Sequence, residues 1–222
     1  MFLKFPVYFW HMRIMEETNC QIIRKATELF LSRGFKSVTM DDIANEMGMS
    51  KKTIYQNFST KTDLVSASAD AIFNHIKCGI DAIRTKKLNP IEELYTINDY
   101  VLKNLNNEAA APEYQLIKYY PKIHARLNKM KYDTIEDCIY VNLNRGIELG
   151  LYRPQIDISM ISRFYFIGVS GLRNIDVFPN TQFQPKLLTN YYLDYHVRGI
   201  STAKGITYLE KLENKRNQNI KS

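Results

Sequence analysis

The chain has 222 residues, 45 % of them apolar, which is long enough to bury a proper core in one large or two small domains. Its net charge of +7 suits a polyanionic partner, and no phosphate-binding glycine loop, nucleophile turn or metal-ligand spacing occurs in it. The sequence therefore favours a protein that is not an enzyme and needs no cofactor and no metal, and three widely spaced cysteines indicate reduced thiols in the cytoplasm.

Residues 1–15 are rich in aromatic side chains and do not match the helical pattern of the later residues. Their apolar run is too short for a secretory signal or for a membrane span, which needs roughly 20 apolar residues. We interpret them as a disordered or extended arm, either an artefact of an upstream start codon or an arm that reaches along DNA through Lys4 and Arg13. A first helix is predicted for residues 16–33, ended by Gly34.

Residues 37–64 predict a helix-turn-helix. Thr39 is placed to cap a short helix over residues 40–46, because its hydroxyl can accept a hydrogen bond from a free backbone N–H of the first turn. Gly48 comes next, where a left-handed turn is needed, and Ser50 can cap the second helix. Ile54 is the apolar residue that packs this second helix onto the first.

The second helix has a basic, polar face of the kind that enters the major groove of DNA. Its lysines can hold phosphates, its hydroxyls can add contacts, and a glutamine is well shaped for adenine. The residues predicted to contact DNA are Thr39, Ser50, Lys51, Lys52, Thr53, Tyr55, Gln56 and Lys61.

Three motifs in residues 22–65 resemble the DNA-binding domain of the TetR family of bacterial transcriptional regulators. They are Ala26–Phe35 (A-x-x-L-F-x-x-x-G-F), Thr39–Ala44 (T-x-x-x-I-A) and Ser50–Leu64 (S-x-x-T-I-Y-x-x-F-x-x-K-x-x-L). The resemblance implies a three-helix DNA-binding domain over residues 16–63 and a helical domain for ligand binding and dimerisation over residues 64–222.

Beyond residue 60 the apolar spacing predicts helices and no strands, so the predicted fold class is all-α. A fourth helix, capped by Thr60 with Asp63 at its third position, is expected to run to Lys77. The later helices are predicted at residues 90–105, 113–120, 122–149, 158–173 and 187–212, with a polar tail that frays from residue 213.

Two sets of residues in the larger domain are candidate sites. Abundant tyrosines suggest a pocket for an aromatic or amphipathic effector, lined by Tyr95, Tyr114, Tyr120, Tyr140, Phe164 and Tyr165. The apolar helix before residue 173 and the final helix suggest a dimer interface made of Phe166, Val169, Leu172, Tyr192, Tyr195 and Ile200. Burial of these helices within one subunit is the alternative.

The leading hypothesis is a homodimeric regulator, most simply a repressor, that binds a palindromic operator in double-stranded DNA and is released by a small-molecule effector, with no membrane association. A helical small-molecule binding protein or enzyme with a vestigial DNA-binding domain is one alternative. A sequence-indifferent architectural DNA binder is another, although the modest, localised charge argues against the many phosphate contacts that such proteins need.

Overall fold

The computed structural model describes residues 7–104 and 110–221. Within these residues the chain forms helices joined by short loops, with one isolated antiparallel bridge between Tyr152 and Ser201. This confirms the all-α prediction. The helices are α1 (Val7–Arg33), α2 (Met40–Met47), α3 (Lys51–Asn57), α4 (Lys61–Arg84), α5 (Pro90–Asn104), α6 (Ala110–Tyr119), α7 (Pro121–Glu148), α8 (Ile158–Gly171), α9 (Pro185–Ile200) and α10 (Ala203–Lys221).

The chain divides into two compact units. The first holds the described residues up to His75 together with Ala111–Leu127, and the second holds the described residues of 76–110 and 128–221. The boundary predicted at residues 63/64 therefore differs from this division. One reason is that the division falls within α4, a single uninterrupted helix, so no loop marks it. The other is that Ala111–Leu127 belongs to the first unit through contacts with residues distant in sequence.

The first unit is built on α1, which packs against α2 and α3. Apolar side chains from each of these helices are buried together: Ile22, Ala26, Phe30, Ile43, Ala44 and Ile54. The helix α1 begins at Val7, so the predicted arm over residues 1–15 is wrong from residue 7 onward, and residues 1–6 lie outside the described residues. The sequence from Val7 to Arg33 has neither proline nor glycine, so nothing in it ends a helix.

In the second unit, α5 packs against α9 and α10, and α8 packs against α9. Its core contains a buried charge, Glu93, which is 2 % exposed. The Glu93 carboxylate accepts hydrogen bonds from Arg145 Nη1 at 2.7 Å and from Asn142 Nδ2 at 3.0 Å, and Tyr152 donates to Asn142 Oδ1 at 3.2 Å. Because both oxygens of Glu93 are satisfied, this polar network can lie inside the core.

The predicted final helix over residues 187–212 is two helices. Its break lies at Ser201, whose backbone is extended (φ −80°, ψ 154°), and the Thr202 hydroxyl accepts a hydrogen bond from the Gly205 N–H at 3.2 Å in the first turn of α10. The Thr202 N–H donates to the Leu151 carbonyl at 2.9 Å. Helix α10 continues to Lys221, past residue 213, where the polar tail is expected to fray.

Candidate nucleic-acid interface

The turn between α2 and α3 has the geometry that the sequence predicts. Thr39 caps α2 in a reciprocal capping box: its Oγ1 accepts from the Asp42 N–H at 3.1 Å, and the Thr39 N–H donates to Asp42 Oδ2 at 2.8 Å. Gly48 ends α2 in the left-handed conformation (φ 62°, ψ 27°), and the Met49 N–H returns to the Ala44 carbonyl at 2.9 Å. The pKa of Asp42 lies below its usual value because its carboxylate accepts the Thr39 backbone and hydroxyl hydrogen bonds.

Helix α3 buries one face and exposes the other. Ser50 caps it by accepting from the Thr53 N–H at 3.0 Å, and Ile54 is completely buried against the first unit. Tyr55 and Gln56 lie on the exposed face, with 42 % of Tyr55 accessible. The anchor at Ile54 therefore turns the polar residues of α3 outward, which is the arrangement a DNA-reading helix requires.

The two lysines that begin α3 differ in their surroundings. Lys51 Nζ lies 2.8 Å from Asp41 Oδ1 of α2 and 5.8 Å from the centroid of the Tyr55 ring. The hydrogen bond to Asp41 raises the pKa of Lys51, and the exposure of both groups makes the pair weak. Lys52 is exposed, and among the described residues it forms no hydrogen bond or ion pair. Lys52 is thus the unpaired cation of this face.

Three of the predicted hydroxyl contacts are already engaged within the protein. The Thr39 hydroxyl donates its proton to Asp42 Oδ2 at 2.8 Å, so a phosphate contact from it would require that bond to break. The hydroxyls of Ser50 and Thr53 lie 2.8 Å apart. Only one of these two protons is used between them, so the other can point to DNA.

Lys61, the first residue of α4, has a structural contact that the sequence does not predict. Its Nζ donates to the Lys36 carbonyl at 3.1 Å, in the loop between α1 and α2. Partial burial lowers the pKa of Lys61, with a smaller opposing effect from Asp42. An ammonium has three donors, so two remain for a phosphate.

Sequence reasoning missed the contribution of α6 to the first unit. Gln115 Oε1 accepts a hydrogen bond from the Lys36 N–H at 3.0 Å, and the Tyr120 ring meets Phe35 edge-on at a centroid distance of 6.3 Å. Arg126, near the start of α7, forms an ion pair with Asp70 of α4 at 2.6 Å. These pairs are 56–85 residues apart in the sequence, so no local pattern could have indicated them.

The residues of the predicted effector pocket are found in both units and differ in burial, and the pocket itself stays a prediction. Tyr114 and Tyr120 belong to the first unit, whereas the other four residues belong to the second. Tyr140 and Phe164 are more than half exposed, and only Tyr95 and Tyr165 are buried in the core of the second unit. Helical spacing identifies the faces of helices but does not say which neighbour each face meets.

Two open surface clefts are formed by described residues of the second unit, and neither is lined by a residue of the predicted pocket. One, of about 450 Å³, is lined by Asn89, Leu149, Leu151, Lys204, Thr207, Tyr208 and Lys211. The other, of about 550 Å³, is lined by Asp81, Arg84, Thr85, Lys87, Val141 and Arg145.

The predicted dimer residues divide between core and surface. Ile200 is 3 % exposed in the single chain, so it cannot contact a second subunit directly. Phe166 is partly buried and packs edge-on against Tyr132 at 5.1 Å, and its place in a dimer interface stays a prediction. Val169 and Tyr192 pack against the core and Leu172 is partly buried, whereas Tyr195 is 77 % exposed. The large apolar residues that α8 and α9 expose, which we call the exposed apolar face, are Met160, Phe164, Ile167, Leu187, Tyr191 and Tyr195.

Neither a metal cluster nor a membrane span is present among the described residues. In residues 7–104 and 110–221, no group of three or more histidine, cysteine, aspartate or glutamate side chains could hold a metal ion. Within the same ranges, no helix is long and apolar enough to cross a membrane.

Known proteins resemble this chain in sequence. Residues 22–68 match the family model described as bacterial regulatory proteins, tetR family. The transcriptional repressor KstR2 of Mycobacterium tuberculosis is 24 % identical over 151 residues, which cover 65 % of this chain and 74 % of KstR2. The transcriptional activator FasR of Mycolicibacterium smegmatis is 35 % identical over 71 residues, 32 % of each chain.

Solved structures share the fold. A TetR transcription regulator from Haloarcula marismortui aligns with a TM-score of 0.73 and 16 % identity over 84 % of this chain and 100 % of its own. The ketosteroid transcriptional regulator KstR2 of Mycobacterium tuberculosis aligns with a TM-score of 0.55 and 19 % identity over 83 % of this chain and 95 % of its own.

Proposed function

The chain is a DNA-binding transcriptional regulator of the TetR family, and from this premise we propose that it acts as a homodimeric repressor released by a small-molecule effector. Its place of action is the cytoplasm, where the operator DNA lies. The observation that carries the proposal is the outward polar face of α3, held by the cap at Ser50, the glycine turn at Gly48 and the buried anchor Ile54. The repressor assignment is supported by KstR2, which aligns over 65 % of this chain.

The residues predicted to contact DNA divide into two roles in this proposal. Lys52, Lys51 and Lys61 neutralise phosphates, and Tyr55 adds a hydroxyl contact to the backbone of the DNA. Ser50, Thr53 and Gln56 reach the base edges. A glutamine side chain can form two hydrogen bonds with adenine, and the two hydroxyls can each contact a base. Thr39 orients α2 through its capping box and contacts a phosphate only if Asp42 releases its hydroxyl.

Dimerisation through the exposed apolar face would bring two α3 helices to one operator. On α8 this face has the spacing i, i+4, i+7 from Met160, and on α9 it has the spacing i, i+4, i+8 from Leu187, so each helix presents one continuous stripe. Exposed apolar residues that form a contiguous stripe favour burial against a second copy. A two-fold dimer matches a palindromic operator whose half-sites lie about one helical turn apart.

The experiment that tests the proposal compares Lys52→Ala and Gln56→Ala on a DNA site selected by the unaltered protein. Lys52→Ala should weaken binding to every sequence and lower the slope of log affinity against log salt by about one, because one phosphate contact is lost. Gln56→Ala should instead relax the preference at one base pair, at a cost of roughly 1–3 kcal/mol on the best site.

Lys86→Ala is the matched control, since Lys86 is also an exposed lysine but lies in the second unit. If Lys52→Ala leaves the slope of log affinity against log salt unchanged, Lys52 does not contact a phosphate. Tight binding of a small molecule by a protein that has no affinity for DNA would favour the vestigial DNA-binding domain instead.

A further inference from the structure

The peptide groups on both sides of Lys36 are held by two different helices. The Lys36 N–H donates to Gln115 Oε1 of α6 at 3.0 Å, and the Lys36 carbonyl accepts from Lys61 Nζ of α4 at 3.1 Å. We infer that Gln115 is a positioning residue for DNA binding, whose side-chain amide fixes the loop that leads from α1 into the helix-turn-helix. This inference rests on the proposed function, since it concerns the affinity of the same site.

The Gln115 amide fits closely over the end of α1. A Cβ atom placed on Gly34 would lie 2.6 Å from Gln115 Nε2 and 2.9 Å from Oε1, both too short for a real contact. Gly34 also adopts φ +87°, which disfavours any residue with a side chain. The glycine therefore permits both the left-handed turn and the close approach of the Gln115 amide.

Neighbouring contacts hold α6 in the position from which Gln115 reaches Lys36. The Phe35 ring meets the Tyr120 ring edge-on at 6.3 Å, and the Lys36 ammonium lies 5.1 Å from the centroid of the Tyr119 ring. Gly34, Phe35 and Lys36 are consecutive, so the first half of the loop lies against the segment that contains α6.

The start of α7 adds a second attachment to the first unit. Arg126 donates to Asp70 Oδ1 at 2.6 Å and to Ser66 Oγ at 3.0 Å, both on α4. The segment that carries Gln115 is thus tied to the first unit at its far end as well, which limits how far α6 can move away from the loop.

Fixing this loop bears on DNA binding because the loop leads directly into the DNA-reading helices. It enters Thr39, the cap of α2, and α2 packs against α3. A loop without the Gln115 hydrogen bond samples more conformations, and DNA would have to order it on binding, which reduces affinity. We expect a loss of about 3- to 10-fold, the equivalent of one exposed hydrogen bond.

The salt dependence of binding separates positioning from contact. Gln115 carries no charge, so its replacement should weaken binding to all DNA sequences alike and leave the salt slope unchanged. Lys52→Ala should change that slope by about one, as a phosphate contact does. A change of slope for an uncharged substitution at Gln115 would contradict the inference.

The test uses two variants of the full chain. Gln115→Met keeps the length of the side chain and removes the acceptor, and it should lose about 3- to 10-fold in affinity at constant salt slope. Gln115→Glu keeps a carboxylate oxygen for the Lys36 N–H, and it should stay within about 2-fold of the unaltered protein, as expected when the hydrogen bond is retained. Gln155→Met, at an exposed glutamine of the second unit, is the control.

Amide hydrogen exchange gives a readout that needs no DNA. In the unaltered protein the Lys36 amide should exchange more slowly than the Ser37 amide, and Gln115→Met should abolish this difference while Gln115→Glu keeps it. Equal exchange of the two amides in the unaltered protein, or wild-type affinity for Gln115→Met, would overturn the inference. Failure of the unaltered protein to bind DNA would refute the proposed function, and the exchange rates would still test the role of Gln115.

Discussion

Replacing Gly48 by alanine isolates the conformational cost of the turn between the two helices of the helix-turn-helix. Gly48 has φ +62°, and a Cβ atom added there would meet no other atom within 4 Å. The cost is therefore purely that of a left-handed backbone, without any steric clash. Gly150, at the end of α7, offers a matched control in the second unit, with φ +66° and equally open surroundings.

The magnitude is set by two opposing effects. Alanine in the left-handed region costs roughly 1–2 kcal/mol. Alanine also lowers the conformational entropy of the unfolded chain, which stabilises the folded protein by roughly 0.4–1 kcal/mol. The net loss is about 1 kcal/mol for each variant, which corresponds to a melting temperature lower by about 2–4 °C for a protein of this size.

Thermal unfolding followed by circular dichroism, together with DNA affinity, measures both consequences. Gly48→Ala and Gly150→Ala should lose similar stability, but only Gly48→Ala should also weaken DNA binding. Gly48→Asn should lose less, because asparagine tolerates the left-handed region better than alanine. The reasoning about this turn is refuted if Gly48→Ala has the melting temperature of the unaltered protein, or if Gly48→Asn loses as much stability as Gly48→Ala.

Three further predictions concern the second unit. Glu93→Gln, which leaves the Arg145 guanidinium without its carboxylate partner, should lower the free energy of unfolding by about 3–5 kcal/mol in urea titrations, and a loss below 1 kcal/mol would contradict the importance of this pair. Burial lowers the pKa of His196 from 6.5 to about 4. The free energy of unfolding should therefore fall by up to about 3 kcal/mol as the pH is lowered from 6.5 towards 4, because only the unfolded chain binds the proton in this range. His196→Gln should flatten this dependence, and an unchanged pH profile in that variant would contradict the prediction. Ile167→Glu and Tyr195→Glu should shift the protein from dimer to monomer in analytical ultracentrifugation, whereas a dimer that survives both changes would place the interface elsewhere.

The helix-turn-helix could be predicted because its signals are local. Thr39, Gly48 and Ser50 act within three or four residues of their partners, so a cap, a turn and a second cap are readable from sequence spacing. The outward direction of Gln56 could be inferred once Ile54 was assigned to the core.

The faces of the longer helices could not be assigned in the same way. Helix α8 is apolar nearly all round, so its periodicity could not distinguish Phe166, which packs against Tyr132, from Ile167, which is exposed. The burial of Ile200 depends on the direction in which α9 crosses the core, which the spacing of apolar residues does not predict.

Long-range contacts account for the remaining differences. The bond between Gln115 and the Lys36 N–H joins residues 79 positions apart, and neither residue has a local feature that indicates the other. The break at Ser201 likewise depends on the bridge to Tyr152 and on the Leu151 carbonyl, so the apolar spacing across residues 187–212 predicted one helix where there are two.

Selection of bound fragments from a random pool of double-stranded DNA by the purified, unaltered protein tests the central claim most directly. The claim predicts enrichment of one inverted repeat, with half-sites about one helical turn apart, that persists when salt is raised from moderate to high concentration. Binding without enrichment that disappears steeply with salt would contradict it and would indicate contacts to the phosphate backbone alone.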